Sequence, residues 1–284
     1  MPTCYIVGAG DFTPRGFAPV PGDLVLAADG GYRALYSLGY TPDLLLGDFD
    51  SLGDLPLPPD LPVLRFPARK DDTDTGLALR HGLDRGFRDF ALYGCAGGRV
   101  DHLLANLQSM ARVSRLGATI RLAAPEYDAW ALTGPAPDAS APHASAPDAS
   151  APDASAPHIS ASSTPAPDAL EPHASASHAS GPAPHAPDAS APDASASHAS
   201  GPAPHAPDGP AATLTLPDRP GGTLVSVFCH GDRAEGVTLT GLSYPLDGAD
   251  LTGDFPLGVS NRRLEGQPAT VSVRRGTLLI FQGA

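Results

Sequence analysis

"FALYGCAGGRVDHLLANLQSMARVSRLGATIRL", residues 90–122, contains one whole unit of an α/β fold. Phe90–Tyr93 is a short apolar strand, and the glycine-rich "GCAGGR" (94–99) ends it. Asp101 is a candidate N-cap for "HLLANLQSMARVSRL", in which Leu103, Leu104, Leu107, Met110 and Ala111 fall on one apolar stripe. Gly117 is the stop, and Thr119–Leu122 is the next strand. Short strands that are apolar without alternation are covered on both faces, as in a parallel sheet with right-handed crossovers.

The same pattern runs back to the N-terminus. Tyr5–Val7, Leu24–Ala27, Leu44–Leu46, Val63–Phe66 and Ala129–Leu132 read as strands. Asp29 is placed to cap "GGYRALYSL", and Thr73 or Asp74 to cap "TGLALRHGL". Residues 1–134 are therefore predicted to be an open, mostly parallel α/β domain. Residues 135–212 differ in kind. "APDAS" and "APHAS" recur, "HASGPAPHAPD" occurs at 178–188 and 198–208, and large apolar side chains are nearly absent. Such a segment has no core to offset its ordering entropy and is expected to be a disordered repeat linker. From 213 to 284, "TLVSVF", "GVTLTGL", "ATVSV" and "TLLIF" alternate apolar with polar, predicting a small antiparallel β-sandwich that docks on a neighbour.

The net charge of −13 argues against nucleic acid or an anionic membrane as partner. No apolar run reaches the roughly 20 residues that span a bilayer, and "MPTCYIVGAG" lacks the basic start of a signal peptide. Cys4, Cys95 and Cys229 fit no metal motif and read as buried free thiols of a cytoplasmic protein. Against 17 arginines there is a single lysine, Lys70, and it sits in "RKDDTDT".

Open α/β sheets bind ligands beyond the carboxyl ends of their strands. Four acidic clusters fall there: Asp29 in "AADGG", Asp48 and Asp50 in "GDFDS", Asp71 and Asp74 in "KDDTDT", and Asp101 in "GGRVD". Each alone reads more readily as a helix cap than as a ligand, although no long helix pattern directly follows Asp48 and Asp50. Alternate residues of an extended segment lie about 6.6 Å apart and face one way, and two carboxylates at that spacing repel by about 2.5 kcal/mol at an effective dielectric near 20. Several in one cleft call for a cation, and magnesium takes one or two carboxylates together with phosphate oxygens and water. The glycines of "VGAGDF", "DGG" and "GCAGGR" let backbone N–H groups approach an anion. Lys70 and Arg99 are placed to hold phosphate oxygens.

These motifs, in this order, resemble the thiamine pyrophosphokinase family: "AADGGYRAL" (27–35), "PDLLLGDFDS" (42–51), "KDDTDTGLAL" (70–79), "GCAGGRVDHLLANLQ" (94–108), "GVTLTGLSYPL" (236–246) and "GVSNRRLEGQPATVSVRRGTLLIF" (258–281). The resemblance leaves 135–212 uncovered. It implies transfer of the terminal pyrophosphoryl unit of ATP, the co-substrate, to the hydroxyethyl oxygen of thiamine, giving thiamine diphosphate and AMP. It also implies a homodimer with a β-sandwich that helps to hold thiamine. On that basis Asp48, Asp50 and Asp74 would hold Mg2+, and Lys70 and Arg99 would stabilise the growing phosphate charge. Asp71 or Asp101 would accept the alcohol proton. Asp29, Gly30, Gly31, Thr73, Gly97 and Gly98 would border ATP. Ser260 and Asn261 would face thiamine, or form an ordinary turn; Tyr244 would stack on thiamine, or fill the sandwich core. A pyrophosphokinase for a hydroxymethylpterin and a catalytically silent nucleotide- or thiamine-binding regulator are the rival readings.

Overall fold

The computed structural model describes residues 1–49, 52–66, 73–135 and 210–284; Asp50, Lys70 and Asp71, with the repeat at 136–209, lie outside them. Six parallel strands form the first part of a ten-stranded sheet: β1 (Thr3–Val7), β2 (Leu24–Ala28), β3 (Leu44–Gly47), β4 (Val63–Arg65), β5 (Asp89–Tyr93) and β6 (Thr119–Ala123). Their spatial order is β6-β5-β1-β2-β3-β4, so chain order reverses between β1 and β5. That reversal point is where a doubly wound sheet opens a crevice.

Alternate residues of the central strands feed two cores, which explains why these strands do not alternate with polar residues. Ile6, Leu24, Leu26 and Leu46 face α2 (Asp74–Asp84) and α3 (Val100–Arg115), while Val7, Val25, Ala27 and Leu45 face α1 (Gly31–Ser37). Each of these leucines gains about 1.5–3 kcal/mol from full burial. The predicted stripe on α3 is buried at Leu107, Met110 and Ala111, with Leu103 at its border. Leu104 departs from it and is 56% exposed, because 103 and 104 diverge by about 100° around the helix. Cys4 and Cys95 are buried as expected; Cys229 is only half-buried.

The sheet does not stop at residue 134. Beside β6 lies antiparallel β7 (Tyr127–Thr133), and β14 (Thr277–Gly283) pairs with β7 from Thr277↔Thr133 to Gly283↔Tyr127. β9 (Leu224–Cys229) and β12 (Gly258–Arg262) follow outward. A second sheet, β11 (Leu246–Thr252), β10 (Arg233–Thr240), β13 (Thr270–Val273) and β8 (Ala212–Thr215), packs over this extension. The sandwich core unites Trp130, Val225, Val227, Leu278 and Ile280 with Leu239, Leu251, Val271 and Val273. One layer of the expected sandwich is thus a continuation of the α/β sheet. Among the described residues no helix is long and apolar enough to cross a membrane.

Candidate active site

The loops that follow β1 and β5 are stitched together at the reversal point. Gly8 N–H donates to the Tyr93 carbonyl (2.8 Å), Gly10 N–H to Gly94 (2.7 Å) and Asp11 N–H to Ala96 (2.8 Å). Two glycines make this approach possible. A Cβ on Gly10 would lie 2.3 Å from the Ala96 oxygen, and one on Gly97 (φ +84) would lie 2.0 Å from an Asp11 carboxylate oxygen. Two helices hold the second loop from behind. The buried Asn106 of α3 donates its side-chain amide to the Cys95 carbonyl (2.8 Å), and the Thr75 hydroxyl in the first turn of α2 meets the Cys95 sulfur at 3.9 Å. Burial pushes the Cys95 thiol up to about 11 and the Cys4 thiol to about 12, so neither supplies a thiolate near neutral pH. Sequence reading missed Asn106; a polar residue inside the apolar stripe was its one signal.

On the other side of β1, the turns after β2 and β3 meet. Asp29 does not cap α1: the N-cap is Gly30, with no side-chain cap bond. Asp29 adopts φ +48, donates its N–H to the Leu46 carbonyl (2.7 Å), and accepts the Phe49 N–H on Oδ1 (3.1 Å). Asp48 lies half-buried between Gly47 (φ +147) and Phe49 (φ +70). The Arg65 guanidinium stands 4.7 Å above the Phe49 ring. Gly31 packs against the end of β1, where a Cβ would fall 1.8 Å from the Val7 oxygen.

Thr73 is the N-cap of α2, accepting the Gly76 N–H (3.0 Å), and Asp74 lies half-buried in the first turn. Asp101 is not the cap of α3. Arg99 is the N-cap residue, and Asp101, one residue inside the helix, forms a two-pronged exposed ion pair with Arg99. That pair holds the Asp101 carboxyl below its usual range and raises Arg99. Gly97 and Gly98 are exposed beside them, both at positive φ.

In the sandwich, Asn261 is 3% exposed, and its amide is committed to the backbone. It accepts from Tyr244 N–H (2.9 Å) and Arg262 N–H (2.9 Å) and donates to the Tyr244 carbonyl (2.7 Å). Tyr244 itself is 70% exposed, so the reading that it fills the core does not hold. Ser260 is exposed at φ +59.

Among the described residues no three His, Cys, Asp or Glu side chains cluster to hold a metal ion. Asp48 and Asp74 nonetheless present carboxylate oxygens, the donor type magnesium takes.

Fold and site define a doubly wound α/β protein whose glycine loops are joined at the reversal point of the sheet, and whose sheet is extended into a β-sandwich. "Thiamin pyrophosphokinase, catalytic domain" matches residues 21–122, and "Thiamin pyrophosphokinase, vitamin B1 binding domain" matches 212–278. Together these cover more than half of the sequence, and the chain belongs to the thiamin pyrophosphokinase family. The curated thiamine pyrophosphokinase of Bacillus subtilis (strain 168) is 33% identical over 103 residues, 35% of this chain and 48% of that protein. The chain thus spans about half the length of the curated relative it matches. The crystal structure of thiamine pyrophosphokinase from Bacillus subtilis superposes with a TM-score of 0.64 at 19% identity, covering 99% of both chains. That of thiamin pyrophosphokinase from Candida albicans gives 0.58 at 10% identity, over 100% of this chain and 89% of that one. These two likenesses carry the fold.

Proposed function

We propose that the chain is a thiamine diphosphokinase, moving the terminal pyrophosphoryl unit of ATP to the hydroxyethyl oxygen of thiamine, with AMP as the leaving group. The observation that carries this reading is the presence, in one chain, of both family regions, the catalytic one containing the glycine loop after β5 at the reversal point. Asp48, Asp50 and Asp74 would hold Mg2+, which supplies charge neutralisation on the phosphate oxygens. Gly30, Gly31, Thr73, Gly97 and Gly98 border the ATP phosphates, and Lys70 and Arg99 bring positive charge to the β-phosphate where it grows. Asp71 or Asp101 accepts the alcohol proton. The Arg99 ion pair makes Asp101 the weaker base of the two while it persists. Ser260, Asn261 and Tyr244 form the thiamine side.

A homodimer fits the outer face of β9 and β12, where Leu224, Phe228 and Val259 stay exposed beside the edge-to-face pair of Phe228 and Phe281. The protein is proposed to be cytoplasmic, without nucleic-acid or membrane partners. The test offers thiamine and a hydroxymethylpterin separately with Mg–ATP and follows AMP release. Thiamine-dependent AMP and thiamine diphosphate are expected, and turnover of the pterin alone overturns the assignment. No turnover of either alcohol, with ATP still bound, would favour the silent regulator.

A further inference from the structure

We infer that Asp29 is a positioning residue, which fixes the backbone that presents the Asp48 carboxylate; this rests on the reading of Asp48 as a metal ligand. Asp48 has a peptide plane on each side, and both are anchored. The plane before it carries the Gly47 carbonyl, which accepts Phe66 N–H at 2.9 Å. The plane after it carries the Phe49 N–H, which donates to Asp29 Oδ1 at 3.1 Å. With both planes held, the φ and ψ of Asp48 are set, and its carboxylate keeps only side-chain rotation. The remaining contacts tighten the same turn. A Cβ on Gly47 would lie 3.0 Å from Asp29 Cβ, so the two turns touch, and Asp29 N–H is tied to Leu46, the residue before Gly47. Phe49 holds a positive φ against the preference of an aromatic residue, which needs outside support. The Asp29 acceptor and the Arg65 guanidinium over the Phe49 ring supply it. A ligand held this way binds its cation without first having to be ordered.

Position 29 separates an acceptor role from a charge role, because its φ of +48 suits both asparagine and glycine. Asp29→Asn keeps the Oδ1 acceptor and removes the charge, whereas Asp29→Gly keeps the backbone conformation and removes the acceptor. The experiment measures Mn2+ binding by electron paramagnetic resonance with an unreactive ATP analogue present, and hydrogen exchange at the Phe49 amide by NMR, after thermal melts establish that both variants fold. Wild type and Asp29→Asn are expected to bind Mn2+ within about twofold of each other and to protect the Phe49 amide. Asp29→Gly is expected to bind about tenfold more weakly and to lose that protection. Protection and affinity retained in Asp29→Gly would overturn the inference. So would an Asp29→Asn variant as weak as Asp29→Gly, which would make the charge itself the requirement. A wild type that binds no Mn2+ would remove the metal reading of Asp48, and with it any service of the brace to a cation. Loss of amide protection in Asp29→Gly alone would then still establish the brace.

Discussion

The Asn106 side chain, on α3, holds the Cys95 carbonyl across 2.8 Å and thereby ties the glycine loop after β5 to the helix that follows it. Both partners are buried, so the bond is dry. Asn106→Leu, close in volume, leaves that carbonyl unpaired and is expected to lower stability by about 1–3 kcal/mol. Urea melts check the stability, and the KM for ATP should rise as Gly97 and Gly98 lose their support.

Asp48→Asn keeps the shape of the turn and removes a hard anionic donor. Turnover is expected to fall by about two to three orders of magnitude, the effect of several kcal/mol of lost charge stabilisation. The melting temperature should change little. Turnover equal to wild type would remove Asp48 from the site.

Tyr244 and Asn261 are predicted to act as a pair. Asn261→Ala frees the Tyr244 backbone from two hydrogen bonds, at 2.9 and 2.7 Å, and is expected to raise the KM for thiamine about tenfold while leaving that for ATP in place. Tyr244→Ala should do the same without loss of stability, because the ring is exposed. An unchanged KM for thiamine in Tyr244→Ala would exclude the ring from the substrate site.

Asp128 is 2% exposed and receives Arg15 (2.6 Å), Arg219 (3.3 Å) and Arg121 (3.5 Å) from three separate segments. It joins the loop after β1, strand β6 and the segment leading from β8. Asp128→Ala leaves three guanidinium groups without their common anion, and the loss should be about 3–5 kcal/mol by chemical denaturation. The partly exposed arginines place it toward the lower end.

Burial holds the His81 imidazole below its ordinary value of 6.5, assisted by Arg85, and holds His230 down likewise with Arg115. The unfolded chain then binds more protons than the folded one once pH falls below about 6.5, so stability is full above that value and declines beneath it. Melting temperatures measured from pH 8 to 5 should be level at first and then drop. His81→Leu should make the drop shallower.

Much of the fold could be read from residue pattern, because burial on both faces requires strands such as Leu24–Ala28 and Leu44–Gly47 to be apolar throughout. The strands with weaker patterns escaped. β11 carries Gly248 at φ +62, and β12 carries Ser260 at φ +59 and a register shift, so neither shows a clean period of two. Acidic residues were found at the strand ends, but their tasks were not. Asp29 looks like a cap in a chain read locally, since the Phe49 N–H that it meets is 20 residues away. The Asp128 cluster joins residues up to 113 positions apart and has no local signature at all.

What the linear chain settled by itself was the sequence of elements and the supply of chemistry: glycines in the loops beyond the strands, carboxylates at strand ends, and apolar runs that commit to a parallel sheet. Those are properties of a residue and its near neighbours. Folding in three dimensions decided that the Asp29 carboxylate braces a turn, and that the sandwich grows from β7 as an extension of the same sheet. A hydrogen bond's partner depends on distance in space, and chain order does not specify that distance.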